Sequence, residues 1–436
     1  MADAKFSKVL GFWDLFWLGV GGMVGVAVLT FPSVTYQLAG PSGILTWVLA
    51  GIISLLMALV YCEMVTAFPK SGALVVFAYE AFGRNRLSRY LAFLEGTGYY
   101  IGTLFGIVVS AIILGNYIGG GYQTGSFWSF VIAEVSLLVV GIINLLGAKI
   151  TSRANFIMSI FFMVLFVAII ILGVTHGNIS RLVPFFSGSN GALGLVYGVP
   201  VAILAFGSWS ALITIPEETK KVNTIPKAVL YSIITVTVLY ALLVLVTYLN
   251  LDSQQMLKQF YYYPVFGFVA ALGNPTVLFL FQVSAVLAIV AVMLVMVMSN
   301  ARITVALTRM RFLPQAMNKM SSRAIPIYAT FLSFLIPMAL SAFPSYYYQY
   351  VIIGAIVGTG LPRLIDLASY LKIRNKKDYK PTFRVRHGLA ITSVAFVGLA
   401  ISELSLGASD IVWSAAALIV LTIAFILIDF RRRKAN

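Results

Sequence analysis

The chain has 436 residues, 60% of them apolar and only 10% charged, with a formal net charge of +16 and a mean hydropathy of +0.97. That much apolar side chain exceeds what a water-soluble core can bury, so the composition excludes an ordinary soluble domain and calls for lipid as solvent. Backbone groups in lipid must be hydrogen-bonded internally, and the apolar runs here are continuous rather than alternating, which selects helices over a barrel.

A crossing of the hydrocarbon layer takes roughly 20 apolar residues. On that measure the sequence predicts twelve spans, near 12–38, 43–67, 88–117, 127–147, 153–175, 192–216, 226–250, 275–300, 326–343, 347–371, 388–405 and 410–430. The first run is rich in glycine, leads straight into further spans and shows no signal-peptide cleavage pattern, so it is expected to stay as a span. The stretch 252–274 is too polar at its start to cross and reads as an external, partly helical loop, with Tyr261, Tyr262 and Tyr263 suited to an interface. The single cysteine, Cys62, excludes an intrachain disulfide and reads as a small packing residue.

With the amino terminus inside, all but two of the 30 Lys and Arg residues, Arg181 and Lys258, fall on the cytoplasmic side. The asymmetry predicts a multi-pass protein of the cytoplasmic membrane with both termini in the cytoplasm. The basic charge is spread over separate loops rather than one surface with stacking aromatics, so nucleic acid is not an expected partner. No metal-ligand cluster, nucleophile elbow or phosphate loop is present, and His176 and His387 fall on opposite sides of the membrane. An enzyme is not expected, and neither is a cofactor, a metal or an obligate protein partner; the partner that composition itself implies is the bilayer.

Two spans carry interruptions. The first contains Gly19, Gly21, Gly22 and Gly25 within seven residues, and each glycine costs about 1 kcal/mol relative to alanine in a helix. The sixth has Ala205-Phe206-Gly207-Ser208-Trp209-Ser210 in its middle and Pro216 near its end. Small residues in spans often serve packing alone. Five crossings separate the two sites, so corresponding helices run in opposite directions, as in inverted-repeat transporters. Such breaks expose amides that attract a carboxylate and carbonyls that attract an ammonium, a pair of poles that suits a zwitterion.

At these residues the chain resembles the amino acid–polyamine–organocation family, specifically its amino acid permeases. Trp13-Asp14 with Gly21-Gly22-Met23-Val24-Gly25 is similar to the family's first-span motif, and Phe68-Pro69-Lys70-Ser71-Gly72 with Glu80-Ala81-Phe82-Gly83 to its second-to-third loop. Asn144-Leu145-Leu146-Gly147 ends the fourth span as in the family. Pro216-Glu217-Glu218-Thr219-Lys220 with Ile225-Pro226-Lys227-Ala228, and Arg302 and Arg309 with Leu313-Pro314, follow in order. The resemblance implies an all-α, LeuT-type fold: a transport core over 1–371, made of a five-helix repeat at 12–175 and its inverted copy at 192–371, followed by two additional helices and a basic tail at 372–436.

It further implies that Gly21, Gly22, Gly25, Val26 and Ala27 form one half of a substrate site and Phe206, Gly207, Ser208 and Trp209 the other. The family often carries Gly-Ser-Gly or Gly-Thr-Gly where this chain has Gly25-Val26-Ala27, so backbone amides are left to meet a carboxylate. Ser210 stands where several members have a glutamate, which argues against acidic substrates and arginine-type exchange.

In the third span Glu95, Tyr99, Gly102, Thr103 and Gly106 recur at helical spacing and define one face; by resemblance it lines the site. Glu95 is the candidate proton carrier or ammonium partner, the competing reading being a snorkelling or capping residue near the helix end. Glu134 is a weaker candidate of the same kind. The fifth-span position where some proton-coupled members have a lysine is Phe162, and Ala285 to Met298 of the eighth span lacks the hydroxyls used by sodium-coupled relatives. Exchange, facilitated diffusion and proton coupling through Glu95 stay open. Met296 aligns with the site, giving an adaptable apolar pocket for neutral, hydrophobic amino acids. A polyamine or cationic amino acid transporter, and an amino acid sensor or channel without alternating access, are the alternatives.

Overall fold

The computed structural model describes residues 5–118, 127–404 and 408–435. These residues form helices and connecting turns, with two isolated bridges (Leu10 with Thr219, Met320 with Pro326) and no strand among them. Among the described residues, eight helical segments are long and apolar enough to cross a membrane, from Phe12–Thr30 to Pro275–Arg309, and Ile327–Ser341 and Gly388–Val397 are apolar but shorter. The expected boundary between the last two spans falls partly on 405–407, outside the described residues.

Helix α1 (Phe12–Met23) starts where the Gly11 amide donates to the Asp14 carboxylate at 2.9 Å. Asp14 also accepts from Lys149 Nζ at 2.7 Å and Ser152 Oγ at 2.9 Å, which ties the start of α1 to α8 (Ala148–His176). After the first break come α2 (Val26–Thr30) and α3 (Pro32–Ala39), the latter opening on Pro32, whose missing N–H costs nothing in a first turn. Then follows α4 (Gly43–Ala67).

The segment between the second and third expected spans is not a plain loop. Gly72, at φ 64°, turns the chain into α5 (Ala73–Ala81), and Leu74, Val75, Phe77 and Ala78 are buried there. Nine residues make about 14 Å of helix, too short to cross but long enough to plug. Gly72 itself has no room for a side chain, since a Cβ would sit 2.5 Å from that of Ala306.

Helices α6 (Arg86–Ile118), α7 (Phe127–Leu146) and α8 complete the first half. α9 (Gly194–Leu204) leads to the second break, and α10 (Thr224–Asn250) follows. The stretch 252–274 is partly helical, with a π turn at Gln255–Gln259 and α11 (Pro264–Ala271); Tyr261 donates to Gln37 Oε1 at 3.1 Å.

The long α12 (Pro275–Arg309) is capped by the Asn274 side chain, which accepts from the Thr276 and Val277 amides. It is the central post, packed against α1, α6, α7, α8 and α13 (Ile327–Ser341). The tenth expected span is divided: α14 (Tyr347–Ala355), a π turn at Ile356–Gly360, then α15 (Leu361–Ile373). At the turn Gly102 and Gly358 touch backbone to backbone, and a Cβ on Gly102 would lie 2.7 Å from Gly358. Helices α16 (Gly388–Leu404) and α17 (Ala408–Ala435) end the described chain.

Candidate functional site

The two interruptions meet around one cavity but differ in construction. α1 stops at Met23; Val24 is extended (φ −75°, ψ 106°), and α2 restarts after Gly25. Gly25 is required by contact, because a Cβ there would lie 2.6 Å from Val292 Cγ2 on α12. In the sixth span α9 does not open into a gap. From Gly207 to Thr214 it tightens into a 3₁₀ helix. Tyr240 of α10 joins the two sites: its hydroxyl donates to Met23 O at 2.6 Å and lies 3.2 Å from Ala205 O. Carbonyls released at both breaks are thus held by one buried side chain.

Between the breaks lies a cavity of about 180 Å³. Gly22, Gly25, Val26 and Ala27 line it from the first break, Gly207 and Ser208 from the second, Tyr99 and Thr103 from α6, and Met296 from α12. Gly102 and Gly106 of the α6 face also contribute, as does Ser210.

Gly21, Phe206 and Trp209, grouped with the site by resemblance, stand behind the wall. Gly21 faces α8, where a Cβ would meet Asn155 and Ser159. Residues three apart eclipse in a 3₁₀ helix. Phe206 and Trp209 therefore share one face, packed on Tyr240 and Tyr61 with ring centroids 5.1 Å apart in each pair, while Gly207 with Ser210 and Ser208 with Ala211 present the others to the cavity. The resemblance groups four consecutive residues with the site, and the 3₁₀ winding sets them on different faces.

Glu95 does not line the cavity either. It is fully buried, which removes the snorkelling reading, and its Oε2 accepts from the Ala78 amide of α5 at 3.4 Å. Its carboxyl is within hydrogen-bond reach of Asp366 on α15. Asp366 Oδ2 accepts from Tyr99 Oη at 2.8 Å, and Tyr99 Oη lies 3.1 Å from Tyr61 Oη. Tyr99 therefore links the cavity to a buried carboxyl pair. One turn before Asp366, Arg363 lines the cavity itself, 3% exposed; a Cβ on Gly207 would lie 3.3 Å from its guanidinium.

Asp366 and Arg363 went unnoticed in the sequence, where Arg363 was counted with the cytoplasmic loops. Both sit near the end of an apolar span, and an intramembrane ionisable residue is itself a functional signal. Arg302, placed with the same loops, is likewise buried, 1% exposed on α12. Glu134 is remote from the cavity and accepts a hydrogen bond from Ser341.

Along α12 beyond the cavity-lining Ser299 stand two ion pairs. Arg302 makes a bidentate pair with Glu218 (2.9 and 2.6 Å) and Arg309 a second with Glu217 (2.6 and 3.1 Å). The Glu218 carbonyl accepts from the Val9 and Leu10 amides, and the Lys220 amide donates to Leu10 O. Beyond this latch lies a separate cavity of about 800 Å³, lined by Lys8, Lys70, Glu80, Arg89, Glu217 and Arg309 among others. No group of three or more His, Cys, Asp or Glu arranged for a metal occurs among the described residues.

A family model described as amino acid permease matches residues 10–428. The chain belongs to the amino acid permease family. This permease is a multi-pass membrane protein, and the family and its relatives are transporters rather than enzymes. Among curated relatives it is 27% identical over 361 residues to the vacuolar cationic amino acid transporter 8 of Arabidopsis thaliana, covering 79% of this chain and 60% of that one. It is 24% identical to a branched-chain amino acid permease of Lactococcus lactis over 91% of this chain and 89% of the relative. With an aspartate–proton symporter of Bacillus subtilis it shares 28% identity over 59% of this chain and 50% of that one. The permease thus spans 60% and 50% of the lengths of two of these three relatives.

Proposed function

We propose that this permease is a secondary transporter that carries neutral, hydrophobic amino acids across the cytoplasmic membrane by alternating access. Its architecture on this reading is twelve spans, a five-plus-five inverted repeat (12–175 and 192–371) plus two further helices, with both termini cytoplasmic. The observation that carries it is the small cavity bounded by both helix interruptions and by α6.

A zwitterion placed there finds first-turn amides after Gly25 that lack intrahelical acceptors, the Ser208 hydroxyl and the guanidinium of Arg363 on the cavity wall. Its side chain meets Val26, Ala27, Val292 and Met296, an apolar and deformable surface. The Glu218–Arg302 latch closes the cytoplasmic side, and exchange of access requires it to open. The named relatives include branched-chain, cationic and aspartate carriers, so they do not choose a substrate. Arg363 on the cavity wall opposes a polyamine or a cationic side chain.

A thermal-shift screen of the purified protein tests substrate class: ligands of the folded form raise its stability with the logarithm of concentration over affinity. Leucine, valine and phenylalanine are expected to stabilise it and spermidine and arginine are not; the reverse pattern rejects the reading. Counterflow in proteoliposomes separates a carrier from the alternatives, since a sensor binds without accumulating label and a channel shows no trans-stimulation.

A further inference from the structure

The cluster behind Tyr99 has a chemistry that the transport cycle has not yet used. Glu95 Oε1 and Asp366 Oδ1 are both buried without a hydrogen-bond donor, although the two carboxyls are in contact. Ionised carboxylates can only accept, so two that touch in a dry interior cannot both be charged; a proton held between them turns one into a donor. Arg363, one turn away on α15, makes no ion pair within 4 Å among the described residues, is almost wholly buried and points its guanidinium into the cavity.

The other titratable neighbours are accounted for. α4 supplies Tyr61, and its Glu63 is engaged by Tyr370 and Arg374. α6 supplies Tyr99 besides Glu95. α5 offers Glu95 only the Ala78 amide. α16 carries no titratable residue before Glu403.

The charge balance follows. With one proton on the pair, the remaining carboxylate charge offsets Arg363 and the cluster is neutral. With a second proton the pair is uncharged, and Arg363 presents an unbalanced positive charge at the cavity wall. A buried unbalanced charge is costly, and a carboxylate entering the cavity removes that cost.

We infer that Glu95, Asp366 and Arg363 form a proton-dependent receptor for the carboxylate of the transported solute, in which one proton taken up by the carboxyl pair exposes the charge of Arg363 to one solute molecule. The inference rests on the transport reading above and gives it a coupling ion. By linkage the solute raises the proton affinity of the pair as much as the proton raises solute affinity.

The test is the binding of L-leucine to the purified full chain from about pH 5 to about pH 8, with L-leucinamide, which lacks the carboxylate, as comparison. Leucine affinity is expected to fall with rising pH, approaching about tenfold per pH unit for one linked proton, with no such fall for leucinamide. The isosteric double variant Glu95→Gln/Asp366→Asn is fixed in the uncharged state, so it is expected to keep its low-pH affinity at about pH 8 and lose the slope. Arg363→Gln loses the leucine preference over leucinamide, and Arg363→Lys restores part of it. A double variant with the wild-type slope overturns the inference.

Infrared spectroscopy supplies a readout that needs no solute. A protonated carboxyl band at neutral pH, lost in the double variant, is expected, and its absence from the wild type overturns the proton-sharing pair. Failure of leucine to bind at any pH rejects the substrate reading instead, leaving the infrared result to decide the proton site.

Discussion

Arg302 and Arg363 are both buried guanidiniums on helices that border the same cavity, yet they are held in opposite ways. Arg302 donates two hydrogen bonds to Glu218 and a third to Met298 O at 3.0 Å, so its charge is spent on holding the end of α12 to the segment after the 3₁₀ helix. Arg363 has no such partner and faces the cavity beside Gly207. A satisfied charge fixes a structure; one left open keeps a place for something that arrives. The same division separates the latch from the site.

Removing one side of the satisfied pair has the largest expected effect. Glu218→Gln leaves Arg302 buried and uncompensated, which costs about 3–5 kcal/mol, read as a large fall in melting temperature or loss of folded protein in detergent. Replacing both partners by apolar residues recovers much of that stability, and a failure to recover would break the contrast with Arg363.

Arg363→Gln is expected to leave the melting temperature near that of the wild type and to weaken leucine binding about 10- to 100-fold, the worth of a hydrogen bond to a charged group. A stability loss matching that of Glu218→Gln would place the two arginines in one class. Gly25→Val drives a branched side chain into Val292; overpacking of this kind costs about 1–3 kcal/mol, seen as a lower melting temperature together with loss of leucine binding. Tyr240→Phe removes one hydroxyl from the two freed carbonyls and is expected to cost about 1 kcal/mol, with a matching small decrease in melting temperature.

Eight of the spans were legible because lipid demands long apolar runs, and the first interruption because four glycines crowd about two turns. The α6 face read correctly in its spacing because an unbroken helix keeps its period, so Tyr99, Gly102, Thr103 and Gly106 share one wall. Phe206 and Trp209, grouped with the site by resemblance, turn away from the cavity because the 3₁₀ winding brings residues three apart onto one face. α5 was invisible because nine residues give too little hydropathy signal to stand apart from a loop. The partnership of Glu95 with Asp366 joins residues 271 apart, a distance set only when α15 swings against α6 at the Gly102–Gly358 contact. Charges counted singly by side of the membrane could not reveal it.

The account stands on a solute held between the two interruptions. Structure determination of the full chain with saturating L-leucine tests it most directly: density is predicted in the small cavity, between Val26 on one side and Gly207 with Ser208 on the other. Density confined to the larger basic cavity beyond the Glu218–Arg302 latch, with the small one unchanged, would contradict it.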